Sequence, residues 1–386
     1  MIIKNVTIVN HNETIKNGWI EIKDQKIVKV SSGTTTKQGI DGKKQKVFPG
    51  FIDPHTHGGY GYDFEMAKPE TFNGFAKKVA GEGVTKYCQA TVTQPDDVVM
   101  QAMASYKKWM ETDNKKNQAQ SKQLGCHIEG PFLSAEKKGA HKLDLLKKPS
   151  VSLFKKWQAA SGNNIRFITY APEKDANGEF ADYLASQDIL GSAGHSNCSC
   201  QEFFENAYKH KVRHVTHLFN GMSGVHQHQP GLAVSALITK DVLCELISDG
   251  QHVLPDVIKM IWMLKGADGI CLITDASLPK GLPDGNYKLG PLDTVKKGMR
   301  SVLASDGSLA GSVATFDHCL RFFRSVVKPT DEQLVKVSSY NIAKQMKLLK
   351  KTGMIKKGLA ADLVMLDKNY EVAMTVVDGI IAFQKK

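Results

Sequence analysis

The stretch Val47-Phe48-Pro49-Gly50-Phe51-Ile52-Asp53-Pro54-His55-Thr56-His57-Gly58 decides how the rest of the chain is read. It opens as an apolar, strand-like run interrupted at Pro49 and Gly50, and it ends in two histidines two positions apart. On an extended backbone, residues i and i+2 project from the same face. His55 and His57 then aim both imidazoles at one spot, as two ligands of one metal must. Gly58 and Gly59 let the chain turn away at once. A His-X-His pair alone is weak, because two hydrogen-bonded loop histidines give the same pattern. Its meaning depends on the surroundings.

From Val47 onward, short apolar strands alternate with amphipathic helical stretches. Strands are expected at 48–53, 85–90, 124–128, 165–170, 189–193, 212–216, 243–247 and 269–274. Helices are expected at 69–81, 96–111, 152–160, 200–210 and 256–264. Eight strand-helix units predict an α/β fold of the (β/α)8 TIM-like barrel type. An open doubly wound sheet is disfavoured, since no Gly-X-Gly-X-X-Gly follows the first strand. Residues 1–47 and 353–386 instead read as short strands separated by Asn, Asp and Gly turns. Neither segment is long enough to bury a core alone. We expect them to pair into a small, discontinuous β-sandwich domain beside a barrel of residues 48–352. Residues 276–303, with Pro279, Pro283 and Pro291, read as an irregular lid or substrate loop. Helices are expected after it, at 314–325 and 331–349.

Bulk properties exclude several classes of function. The chain has 386 residues and a net charge of +12, almost all from lysine. The basic residues are dispersed, with no aromatic-interleaved stripe, so a nucleic-acid partner is not expected. The excess reads as a solvated, lysine-rich surface. Seven cysteines form no paired framework. No apolar run approaches the ~20 residues of a membrane span, and no basic-then-apolar leader opens the chain. These features predict a cytoplasmic protein with reduced thiols.

Barrel enzymes carry their sites at the C-terminal ends of the strands. His55 and His57 follow the first strand, Glu129 the third, His195 the fifth, His217 the sixth, Asp249 and His252 the seventh, and Asp275 the eighth. Each alone fits an ordinary role, such as capping the next helix. Six strand ends at once do not. Imidazole nitrogen and carboxylate oxygen suit a divalent metal, Zn²⁺ first and Fe²⁺ as the alternative, with one or two ions per chain. Such an ion lowers the pKa of water from 15.7 towards about 7, and a nearby carboxylate can relay the proton. Asp275 is the candidate relay. This is hydrolytic chemistry, without a nucleotide motif or a nucleophile elbow. Cys198 and Cys200 read as packing at a helix start, not as further ligands.

With these residues placed, the chain resembles the amidohydrolase superfamily and, within it, the N-acetylglucosamine-6-phosphate deacetylases. The stretches that carry the resemblance run from Pro49 to Gly59, from His127 to Leu133 and on to His141, and from Gly194 to Asn197. Others are Thr216 to Asn220, Ser248 to His252, Thr274 to Ala276, Leu309 to Ser312 and Gly358 to Val364. The most discriminating are Glu129-Gly130-Pro131-Phe132 and Thr216-His217-Leu218-Phe219-Asn220. The resemblance implies one metal on Glu129, His195 and His217, and a possible second on His55, His57 and Asp275. It implies Asp275 as general base and acid, and His141 as the group polarising the acetamide carbonyl. His252, Asn220 and the Gly221 N–H would contact the substrate near its phosphate. The products would be acetate and glucosamine 6-phosphate, and the assembly a homodimer or higher oligomer.

Three departures matter. Strand four ends at Tyr170-Ala171-Pro172, without the bridging lysine of many relatives, which argues against a cyclic amidase or dipeptidase. His228 stands where family members carry a phosphate-binding arginine. It lacks the bidentate fork, so a related substrate such as the galactosamine isomer stays open. Ile342 stands where proline is common. A non-catalytic scaffold is disfavoured because every expected ligand is retained.

Overall fold

In the computed structural model, residues 1–116 and 118–385 are described. Eight parallel strands form the barrel: β1 Phe51–Thr56, β2 Val84–Ala90, β3 Lys122–Glu129, β4 Ile165–Tyr170, β5 Leu190–Ala193, β6 His214–Val215, β7 Leu243–Ile247 and β8 Ile270–Ile273. They pair strictly in chain order from β1 to β8. A helix follows each: α1 Pro69–Val79, α2 Asp96–Glu111, α3 Val151–Ala160, α4 Glu179–Ser186, α5 Cys200–Phe203, α6 Leu232–Ile238, α7 Pro255–Lys265 and α8 Phe316–Val327. The strands are buried on both faces, which is why they read as near-continuous apolar runs. Aromatic side chains such as Phe72, Tyr106, Trp109 and Trp157 fill the space between strands and helices.

The terminal segments build one mixed, mostly antiparallel sheet. Lys46–Pro49 lies between Ile2–Val9 and Leu363–Leu366, so the two ends of the chain interlock strand against strand. Ile3, Ile8, Ile20, Ile22, Val47, Leu363 and Val376 share its core. The first barrel strand, expected to start at Phe48, starts at Phe51. Phe48 pairs with Val364 in the terminal sheet, and Gly50 N donates to Asp362 O across 2.9 Å. Pro49 and Gly50 mark the step from one sheet to the other.

Residues 276–303 are not irregular. They include a three-stranded meander, Gly285–Leu289, Leu292–Lys297 and Arg300–Leu303. Its prolines lie outside the strands. Leu289 and Leu303 pack with Val92 and Ala310, which seats the meander at the barrel mouth. The long helix expected at 331–349 is continuous from Asp331 to Gln345, with a π-helical stretch at Lys336–Tyr340.

The barrel closes between β8 and β1 through side-chain and backbone bonds at the strand ends. The Asp53 carboxylate accepts from Thr274 N at 3.2 Å and from Thr274 Oγ1 at 2.6 Å. Asp275 N donates to His55 O at 2.9 Å. Just above, Lys280 forms an ion pair of 2.9 Å with Glu82, both buried, and Tyr60 donates to the same carboxylate. This pair joins the loop that follows β8 to the turn between α1 and β2, and Tyr60 ties in the loop that follows β1. Replacing Lys280 by Met strands a buried carboxylate, so stability should fall by about 3–5 kcal/mol in urea unfolding. The double substitution Lys280→Met with Glu82→Gln should recover much of that loss.

Candidate metal centre

The strand ends of the barrel converge on Glu129. Its Oε1 lies 3.0 Å from His217 Nε2, 3.4 Å from His195 Nε2 and 3.5 Å from His55 Nε2. Its Oε2 lies 3.2 Å from His57 Nε2 and 3.6 Å from His141 Nε2. Asp275 Oδ1 stands 3.1 Å from His57 Nε2 and 3.4 Å from His55 Nε2. Two ligand groups result, with ligand atoms in each lying within 4.8 Å of one another: His55, His57, Glu129 and Asp275; and Glu129, His195 and His217. Glu129 belongs to both.

The donor set fits a divalent cation on three counts. Ligand atoms 3.0–3.5 Å apart are what bonds of about 2.0–2.1 Å at tetrahedral angles produce. His55 Nε2 and Asp275 Oδ1 are buried without a hydrogen-bond partner, although each points at the cluster. Two of the four rings, those of His55 and His195, are also backed correctly. His55 Nδ1 lies 2.9 Å from Glu245 Oε2, and His195 Nδ1 lies 2.8 Å from the Lys137 carbonyl. Each Nδ1–H donates outward and leaves Nε2 bare towards the cluster.

Backbone strain places these groups. His195, His217 and Asp275 have φ of 45°, 27° and 48°, in the left-handed region that non-glycine residues seldom adopt. Each such residue costs about 1–3 kcal/mol and persists only where its surroundings enforce it. Gly221 meets a spatial demand as well. A Cβ there would stand 2.7 Å from His195 Nδ1.

Charge is balanced inside the cluster. Burial alone would raise the Glu129 carboxyl, but the adjoining histidines, His55 foremost, hold it well below the usual carboxylate range. Asp275 is lowered in the same way, by His55 and His57 against burial. Burial opposes a charge on His57, yet Asp275 and Glu129 raise it to about 10. Protons thus occupy this acidic nest at neutral pH, and a divalent cation would displace them. His141 differs: burial lowers it to about 4, so its ring is neutral at pH 7.

Above the cluster opens a cavity of 240 Å³, faced by His57, Glu129, His141, His195, His217, Asn220, Gly221, His252 and Asp275. His55 lies fully buried beneath it. Asp249, also buried, is 2.8 Å from His252 Nδ1 and fixes that ring. His228 is not brought to the cavity; residues 224–230 are exposed. Cys198 and Cys200 join neither ligand group, and the Cys200 thiol donates to Gly231 O.

Two residues escaped the sequence reading. Glu245, fully buried in the middle of β7, sits 2.9 Å from His55, 3.1 Å from His214 and accepts from His217 N at 3.1 Å. A carboxylate inside Leu243-Cys244-Glu245-Leu246-Ile247 was the available signal, since an unpaired charge is too costly there. Thr93, after β2, holds His141 and carried no sequence signal. Replacing Glu245 by Gln removes one orienting charge behind His55. Zinc affinity in competition with a chelator should fall roughly 10–100-fold.

The comparisons with known proteins agree with this geometry. The amidohydrolase family model matches residues 47–381. The whole chain is 35% identical to the N-acetylglucosamine-6-phosphate deacetylase of Bacillus subtilis and covers 98% of it. The N-acetylglucosamine-6-phosphate deacetylase structure from Thermotoga maritima matches with a TM-score of 0.90 at 33% identity, with 100% of both chains covered. A mutant of the Mycobacterium smegmatis enzyme, solved in complex with N-acetyl-D-glucosamine-6-phosphate, matches with a TM-score of 0.92 at 26% identity, covering 100% of this chain and 99% of that one. A retained ligand set, a closed barrel and full-length similarity lead to one assignment: the chain belongs to the amidohydrolase family, among the N-acetylglucosamine-6-phosphate deacetylases.

Proposed function

We propose that this chain hydrolyses the acetamide of N-acetylglucosamine 6-phosphate to acetate and glucosamine 6-phosphate. The observation that carries the reading is Glu129, shared between two ligand groups on the floor of a cavity of 240 Å³. Glu129, His195 and His217 would hold one ion. His55, His57 and Asp275 offer a second place. Zn²⁺ is the assigned ion and Fe²⁺ the alternative, on the chemistry of nitrogen and carboxylate donors. When bound, the ion supplies a water acidic enough to lose its proton near neutral pH.

The chain's own groups then divide the work. Asp275 accepts the proton of the attacking water. The new bond joins that oxygen to the acetyl carbon, and the carbon–nitrogen bond breaks. Asp275 returns the proton to the departing amine. His141, neutral at pH 7, donates to the carbonyl oxygen as charge develops on it. His252, Asn220 and the Gly221 N–H hold the sugar phosphate. His228 would reach a phosphate only from a second copy of the chain, because it lies outside its own cavity. That places weight on the expected homodimer. Ile238, Leu254, Met263 and Leu264 on and beside α6 and α7 are exposed and support such a contact. The galactosamine isomer is the second reading, favoured by the histidine in place of arginine.

Asp275→Asn should reduce acetate release roughly 10²–10⁴-fold in a folded protein. Normal turnover in that variant would remove Asp275 from the mechanism. N-acetylglucosamine 6-phosphate should be cleaved far faster than its unphosphorylated form. Equal rates would mean that the sugar is anchored elsewhere. Sedimentation as a monomer at micromolar concentration would exclude a role for His228 across an interface.

A further inference from the structure

β2 runs into Thr91-Val92-Thr93, all three buried beside the site. Thr91 Oγ1 accepts from Glu129 N at 3.3 Å. Thr93 addresses His141 twice: its backbone N–H donates to Nδ1 at 3.2 Å, and its Oγ1 lies 2.8 Å from the same nitrogen. Thr93 and His141 are both buried. A backbone N–H has a hydrogen to give and no lone pair to offer. Nδ1 must therefore present its own lone pair, and the hydroxyl, free to rotate, can donate to it as well. A neutral imidazole has one N–H, which then sits on Nε2.

A second observation points the same way. Nε2 faces Glu129 Oε2 at 3.6 Å, and that oxygen is an acceptor only. A bare Nε2 would set lone pair against lone pair, whereas Nε2–H meets the carboxylate favourably. The surroundings hold Thr93 in place. Glu65 accepts from Val92 N at 2.6 Å and from Gln94 Nε2 at 3.2 Å, pinning the chain on both sides of it. Gly130, at φ 77°, leaves the necessary room. A Cβ there would lie 2.2 Å from Thr93 Oγ1 and 3.3 Å from His141 Nδ1.

We infer that Thr93 is a positioning residue that locks His141 in the Nε2–H tautomer, so that the ring offers the cavity a hydrogen-bond donor and not a base. The catalytic meaning rests on the deacetylase reading, while the tautomer rests on the contacts alone. In the other tautomer, a lone pair would oppose the carbonyl oxygen just as negative charge grows on it.

Zinc-loaded enzyme with ¹⁵N-labelled histidine, with the His141→Asn variant to identify the signals, tests the tautomer by long-range ¹H–¹⁵N spectra. A protonated Nε2 and bare Nδ1 are expected; the reverse pattern overturns the inference. In Thr93→Val, kcat should fall roughly 10–100-fold with KM and zinc content unchanged, and Thr93→Ser should restore most of it. In the His141→Asn background, Thr93→Val should change kcat by less than about twofold. A wild-type kcat in Thr93→Val, or losses that add in the double variant, would overturn the role. If no acetate is released from N-acetylglucosamine 6-phosphate at all, the functional reading fails while the spectra still decide the tautomer.

Discussion

Glu129 is a buried carboxylate with nitrogens of five imidazoles, those of His55, His57, His141, His195 and His217, within 3.6 Å of it. Removing so many polar groups from water is costly unless each finds a partner. The barrel offers a solution because eight strand ends face one point, and side chains distant in sequence can neutralise one another there. Hydrogen bonds among the protein groups do not finish the task, since His55 Nε2 and Asp275 Oδ1 stay unpaired. A cation does. The cluster is therefore a binding site by the same physics that makes it expensive to fold around.

The fold supports this cluster from behind and from the side. Behind it, Glu245 joins β7 to the rings of β1 and β6, so three strands share one carboxylate. To the side, Asp53 and Thr274 close the barrel at the seam where His55 and Asp275 leave their strands. The Lys280–Glu82 pair then ties the loop after β8 to the turn before β2. Ligands from β1 and β8 are thereby held against each other, although 220 positions separate His55 from Asp275. Rigid elements and not flexible loops set the geometry, as a metal that tolerates little displacement requires.

How much of this the sequence carried depended on what each residue type can mean alone. The strands were legible because two-sided burial forces apolar runs. The metal-site candidates were legible because histidine and carboxylate recur at strand ends. Phe48 was misassigned because its apolar character suits either sheet, and only the pairing with Val364 distinguishes them. The meander at 285–303 was hidden by Pro279 and Pro283 just before it and Pro291 in its first turn, which mimic an irregular loop. Thr93 was invisible, since a threonine after a strand is ordinary until its neighbour in space is known. His228 differs again: its expected role depends on a second copy, and one chain holds it in an exposed segment.

The group behind each histidine sorts the rings by task. His55 is backed by the Glu245 carboxylate and His195 by the Lys137 carbonyl, both acceptors, so Nδ1 donates and Nε2 is free to bind a cation. His252 is backed by Asp249, whose carboxyl is held low by that ring against burial and accepts from its Nδ1–H. His141 alone is backed by a donor, the Thr93 N–H, and so presents a proton to the cavity. On the proposed function, four histidines of identical chemistry would thus become two ligands, an anion contact and a carbonyl polariser through a single hydrogen bond each. That bond lies on the side of the ring away from the cavity, where a substrate never touches it.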